Sequence, residues 1–248
     1  MSTKTIEFSV PEEYLISLEK EDYPIPTKLN IPEWIKNLNH SHNNQTIKGC
    51  MPFLDTLTSG YILKMPQDFY LEHNVENTLG KKDTFYKFAM YDKPMGTETA
   101  NLNSSINVCH SKDQLKGSPY VEKNKGMAFH KIMNPWLIKT TPGYSCLFVP
   151  PLNNSDDRFS IIPGIVDTDV LNQEINFPIV INGDKYPSLI TTIPKGLPYV
   201  QIIPFKRDSW EMKVSKTNTL ELKSGRFFNN LRLINNYKNK FWHKKSWK

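Results

Sequence analysis

MNPWLIKTTPGYSCLFVPP at Met133–Pro151, RFSIIPGIVDTD at Arg158–Asp169, INFPIVINGD at Ile175–Asp184 and SLITTIPKGLPYVQIIPFKRDSW at Ser188–Trp210 decide the fold. Each is a short run of β-branched and aromatic residues closed by a turn signal. The runs predict strands over Trp136–Thr140, Tyr144–Val149, Phe159–Val166, Glu174–Ile181, Leu189–Ile193 and Tyr199–Phe205. Thr141-Pro142-Gly143 supplies a turn whose glycine permits positive φ. Pro150-Pro151 stops the second strand, Asn182-Gly183 is a hairpin signal, and Pro194-Lys195-Gly196 is a further turn. Strands this short, at this spacing, predict a mainly β fold, a closed barrel or a sandwich, with residues 133–210 as its core. Trp136 and Phe205 are expected to be buried there.

Working outward, Lys4–Val10 alternates as an edge strand, and Ile31–Lys36 resembles one helical turn with Pro32 at its start. Lys48–Tyr61 holds a short helix. Tyr61–Met65 and Phe69–Glu72 are expected to pair around Pro66-Gln67-Asp68, and Phe85–Tyr91 forms another aromatic strand. Asp92–Lys125, rich in Asn, Ser, Gly and Lys, has no clear period and is expected to be a long excursion over the surface. At the other end, Phe227, Leu231, Ile234, Tyr237 and Phe241 recur at helical spacing. The expected organisation is one β-rich domain over 1–221, with a basic C-terminal amphipathic helix over 222–248 docked on it.

Composition narrows the function classes. The chain has 248 residues, 38% of them hydrophobic, and 18 Pro against 11 Gly, which suits a packed, turn-rich domain. No apolar run is long enough for a membrane-spanning helix. Charge alternates with apolar residues from Met1 to Asp22, so no secretory leader is expected, and the sequons at Asn39, Asn44, Asn103 and Asn153 carry no glycan. Three widely spaced cysteines, Cys50, Cys109 and Cys146, read as reduced thiols. Only four of the 31 basic residues are Arg, and Ala occurs three times, a bias expected of an AT-rich genome such as that of many bacterial viruses. From Leu222 onward there are eight Lys or Arg and no acid, so any polyanion is met by the tail. Arg226, Arg232, Lys238, Lys240, Lys244 and Lys245 are the candidate contacts, and the interleaved Phe227, Phe228, Tyr237, Phe241, Trp242 and Trp247 suit stacking on single strands. The competing reading is that the aromatics dock on the body and leave the lysines in water.

Asp167 and Asp169, two apart at a strand end, are the weak catalytic candidates. Such a pair can hold Mg²⁺ or activate a water. Alternatively both shape the turn through their own backbone amides. His40 and His42 share one polar loop and Cys109-His110 another, without the spacing a metal needs, so no metal and no cofactor are expected. Cys50 and Cys146 read as small core residues, and a His130–Cys146 nucleophile pair has no activating surroundings. Asp113, Asp156 and Asp157 are expected to be solvated. Phosphate-loop, dinucleotide and nucleophile-elbow motifs are all missing.

Two resemblances add to this. Lys48–Tyr61, Met133–Pro151, Pro163–Asp169, Ile175–Ile181, Lys195–Trp210 and Asn235–Lys248 resemble a β-barrel family encoded mainly by large tailed phages of marine bacteria. That resemblance implies a viral protein and brings no established activity; together with the missing catalytic motifs and the polar Asp92–Lys125 excursion it leads to the expectation of a non-enzymatic structural, assembly or host-interaction module of the virion or the host cytoplasm. Its partner would be another copy or a virion component. More distantly, residues 133–207 are similar to the β-clip of trimeric dUTPases and dCTP deaminases. Gly164–Asp169 matches the segment under the nucleotide, and Lys195-Gly196 with Val200-Gln201 matches the closing strand. This second resemblance implies an alternative, a nucleotide-binding protein of degenerate or repurposed dUTPase-like fold, with Mg²⁺ possible only there. Val170 stands at the position of the sugar-packing Tyr, Leu171-Asn172-Gln173 replaces Arg-Gly, and Pro150-Pro151-Leu152-Asn153 falls where the phosphate-cradling motif would lie. Asp167 and Glu174 keep theirs.

Overall fold

Prolines and side-chain hydrogen bonds, more than hairpins, route this chain between its sheets. The computed structural model describes residues 4–41, 43–74, 86–90, 109–220, 223 and 236–248. Among them the chain is mainly β, with short helices: β1 (Ile6–Ser9), α1 (Glu12–Ser17), β2 (Ile25–Pro26), α2 (Glu33–Lys36), α3 (Met51–Thr56), β3 (Tyr61–Lys64), β4 (Phe69–Asn74) and β5 (Tyr86–Met90) come first. They are followed by β6 (Cys109–His110), α4 (Pro119–Lys123), β7 (Phe129–Ile132), β8 (Leu137–Thr140), β9 (Tyr144–Val149), β10 (Phe159–Ile161) and β11 (Gly164–Val166). Then come β12 (Phe177–Ile181), β13 (Ser188–Ile193), β14 (Pro198–Lys206) and, near the end, α5 (Asn236–Lys240). All described pairings are antiparallel. They form four sheets, ordered β1-β8, β10-β12-β7-β6, β11-β9-β14-β3-β2 and β13-β4-β5.

The strand positions follow the sequence reading closely, but several pairings do not. The expected strand Phe159–Val166 is two strands, because Pro163 has no N–H to give a ladder and the chain changes sheet there. β3 and β4 do not pair with each other. Met65 N–H donates to Leu197 O (2.8 Å), Gly196 N–H donates to Met65 O (2.9 Å), and the Asp68 carboxylate accepts Lys195 N–H (2.8 Å). The chain after β3 is therefore held by the β13–β14 turn instead of folding back. Asn182-Gly183 makes no hairpin either: Asn182 N–H donates to Arg158 O (2.8 Å) and Gly183 N–H to Lys123 O (3.0 Å), and the chain crosses from β12 to another sheet.

The core is wider than residues 133–210. Leu63, Met65, Phe69, Leu71, Phe129 and Ile132 are buried along with Trp136, Ile138, Phe148, Phe177, Ile193 and Val200. Phe177 joins two sheets, with Phe148 at 5.5 Å and Tyr199 at 5.8 Å between ring centroids. Phe205, expected inside, is 36% exposed. β14 is buried from Tyr199 to Ile202 and then runs out beyond the core. The described part of the expected excursion, 109–125, is also sewn in. Buried Asn124 donates to Met127 O (3.0 Å) and Ala128 O (3.1 Å) and accepts Ile181 N–H (2.9 Å), fixing α4 to β12. Residues 91–108 lie outside the described residues.

The expected tail helix is described only over Asn236–Lys240; Phe227, Phe228, Leu231 and Ile234 lie outside the described residues. Of the expected docking stripe only Tyr237 and Phe241 are described. Tyr237 and Phe241 stay about half exposed, and the tryptophans beyond them dock instead. Trp242 Nε1–H points to both oxygens of Asp55 (3.2 and 3.1 Å), Lys245 pairs with the same carboxylate, and Trp247 meets the Tyr61 ring edge-on at 6.1 Å. Tyr61 O–H donates to Lys248 O (3.1 Å). No described helix is long and apolar enough to cross a membrane.

Candidate functional site

Asp167, Thr168 and Asp169 form the turn that leaves β11, closed by Val170 N–H and Leu171 N–H donating to Asp167 O (3.2 and 3.0 Å). Alternation sends the middle residue inward: Thr168 is fully buried, with its hydroxyl against Thr140 Oγ1 (2.8 Å) and Cys146 Sγ (3.3 Å). The two aspartates flank it and face the end of β14. There Arg207 reaches across. Its Nη1 lies 2.7 Å from Asp169 Oδ1 and its Nη2 bonds Oδ2, a bidentate grip. The same Nη1 is 3.3 Å from Asp167 Oδ1 and 3.2 Å from Ser145 Oγ. Ser145 O–H in turn donates to Asp167 Oδ1 at 2.6 Å. Gly143 N–H donates to Asp169 Oδ2 (2.8 Å), and Arg207 N–H donates to Gly143 O (3.0 Å).

The carboxylates are thus held mainly by groups distant in sequence, not by the amides of their own turn. Asp169 has a side chain only 5% exposed, and the Arg207 guanidinium, helped by Gly143 N–H, holds its carboxyl down at about 2. Arg207 is correspondingly raised. A divalent ion between the two carboxylates would have to displace this guanidinium. Among the described residues no group of three or more His, Cys, Asp or Glu side chains could hold a metal.

The matching positions on β14 are also spent on structure. Gln201 is fully buried; its Nε2–H₂ donates to Thr56 O (2.9 Å) and Ser59 O (2.7 Å), and its Oε1 accepts Leu152 N–H (2.8 Å). That last bond consumes the amide of the loop where a phosphate cradle would lie, and Pro150 and Pro151 have none to offer. Lys195 pairs with buried Asp22 at 2.9 Å.

Other candidates separate cleanly. Burial pushes the Cys146 thiol up to about 11, and its hydroxyl partner is Thr168, so it is a core thiol and no nucleophile. His40 Nδ1 accepts Thr46 N–H (2.9 Å), and His110 Nδ1 meets Gln114 Oε1 (2.6 Å); His42 lies outside the described residues. Asp157 is exposed as expected, whereas Asp156 is largely withdrawn from water, and both are paired. Arg158 grips Asp156 through Nε–H and Nη2–H (3.0 and 2.7 Å), while Lys185 and Tyr186 O–H hold Asp157. Asp113 accepts from Ser111. Of the tail cations, Lys245 is taken by Asp55, Lys238, Lys240 and Lys244 are exposed, and Arg226 and Arg232 lie outside the described residues.

Sequence reasoning missed Arg207, and a signal for it was present. In a chain that uses Lys almost throughout, the two described arginines each make a bidentate grip on an aspartate, which an ammonium cannot do. Comparison with protein-family models, curated proteins and solved structures finds no match.

Proposed function

We propose that the chain is a non-enzymatic structural or interaction module that acts by being bound, and, on the resemblance of its motifs, one belonging to a tailed-phage particle or an infected host cell. The observation that carries this reading is the Arg207 clamp. The candidate carboxylate pair, Asp167 and Asp169, is already neutralised by a guanidinium, a hydroxyl and a backbone amide. A general base is worth about 10²–10⁴-fold alone, and phosphoryl chemistry needs cations or amides aimed at the phosphates besides. Here the arginine faces the carboxylates, and the loop amide of Leu152 is consumed by Gln201. The proposed partners are proteins. A weaker electrostatic contact with nucleic acid through Lys238, Lys240 and Lys244 rests on their exposure and would fade steeply with salt.

The test is a Mg²⁺-dependent turnover assay on dUTP and dCTP, with thermal melting in their presence. The expected result is neither turnover nor stabilisation. Hydrolysis that disappears in Asp167→Asn would establish an enzyme. Stabilisation without hydrolysis would establish the degenerate nucleotide-binding reading instead.

A further inference from the structure

From Asp208 to Lys216 the chain runs extended through solvent, and its backbone N–H and C=O groups bond to nothing among the described residues. Trp210, Met212 and Val214 are 91%, 88% and 90% exposed. They alternate with Glu211 and Lys213, whose charged ends lie 3.5 Å apart. An ion pair between residues two apart fits an extended backbone, which would set the charges on one face and the three apolar side chains on the other. Lys206 and Asp208 pair at the same spacing where β14 ends. This is the pattern of a strand with one apolar face, and that face stands in solvent.

A matching surface sits at the root of the arm. Among the described residues β11 is the outermost strand of its sheet, paired with β9 alone, which leaves its far edge open. Ile165 on it is 64% exposed, and Val170, just past the Asp169 that Arg207 grips, is 71% exposed. The arm cannot readily serve its own β11. It leaves from β14, with β9 lying between, and β14 and β11 both run antiparallel to β9, so the arm would have to reverse to lie along its own β11.

We propose that the segment Asp208–Val214 of one copy lies as an extended strand along the outer edge of β11 of a second copy, with its apolar side chains against Ile165 and Val170, reciprocally about a two-fold axis. Root and receptor are adjacent on one molecule, which is the arrangement that makes a patch self-complementary under a two-fold. Seven residues at roughly 3.3 Å each reach about 23 Å, ample to cross onto a neighbour. Two such arms with their receiving edges bury on the order of 1,000 Å² or more, the scale of a specific interface. Added strands gain backbone hydrogen bonds that the free arm and the free edge both lack. The Arg207 clamp then has a role: it fixes the angle at which the arm departs. This inference rests on the proposed function as an interaction module and names the partner.

The experiment is molar mass by light scattering and sedimentation across roughly 1–100 µM, with two variants. The wild-type chain is expected to dimerise. Trp210→Asp, at a side chain 91% exposed, and Ile165→Asp, on the receptor, are each expected to weaken association by roughly 100-fold or more while the monomer keeps its far-UV circular dichroism. Mixing the two restores one intact arm-on-edge contact, so the mixture associates more tightly than either variant alone. A wild-type monomer throughout, or a dimer indifferent to both substitutions, overturns the proposal. An arm that engages only another protein of the particle also overturns it, while leaving the interaction-module reading standing; nucleotide turnover sinks that reading and leaves the dimer untouched.

Discussion

Asp169 is the residue on which the structural account of the site turns. Its carboxyl sits at about 2, against an ordinary value of 3.8, because Arg207 and Gly143 bond the charged form. A depressed folded-state pKa adds stability that is present above the unfolded value and lost as the pH falls toward the folded one. The melting temperature of the wild-type chain is therefore expected to carry a component that disappears between about pH 4 and pH 2. In Asp169→Asn that component is absent, so its melting curve is flatter across this window. Parallel curves for the two proteins would contradict the clamp. The aspartate pair was legible in the sequence as two carboxylates at a strand end. Its partner was not, because Arg207 lies 38 residues further on and only the pairing of β9 with both β11 and β14 brings it across.

At the scale of elements, strands could be read locally and pairings could not. β9, β13 and β14 fall almost where the apolar runs put them, since alternation and turn residues are local signals. Which edge each strand meets depends on side chains such as Asp68 and Asn124 capturing distant amides, and no spacing rule encodes that. Burial failed at Phe205 for a related reason: β14 outruns its core. Phe177→Ala, which empties a site packed between Phe148 and Tyr199, is expected to cost about 3–5 kcal/mol, and Phe205→Ala, at a partly exposed ring, under about 1.5 kcal/mol. Urea unfolding that ranks them equally would contradict the register of β14. Gly60 makes a sharper case. It has φ +70°, and a Cβ there would lie 1.9 Å from Ile202 O, so Gly60→Ala must displace β14 backbone. Gly143, at φ +85° with open space around it, should lose only about 1–2 kcal/mol on the same change. Comparable melting of the two alanine variants would count against the β3–β14 contact.

Over the whole molecule, the C-terminal residues close back on the body through Asp55 and Tyr61 while the arm before them stands free. The sequence placed aromatics among cations in the tail but gave no means of choosing which would dock. Trp242 and Trp247 do so because an indole N–H can meet a carboxylate and an indole edge can meet a phenol, whereas Tyr237 and Phe241 find no such partners. Asp55→Ala removes the carboxylate shared by Trp242 and Lys245, so limited trypsin digestion should cleave after Lys244 and Lys245 several-fold faster, read by mass spectrometry. Unchanged cleavage would contradict the latch. The central claim is that Asp167, Asp169 and Arg207 hold the molecule's shape where a reaction would otherwise have been suspected. A double-mutant cycle in urea tests it most directly, using Asp169→Asn, Arg207→Met and both together. The account predicts that each single variant unfolds at clearly lower urea and that the double variant is little worse than either. A carboxylate pair kept for chemistry would give the opposite, an Asp169→Asn protein as stable as the wild type or more so, and that result would contradict the account.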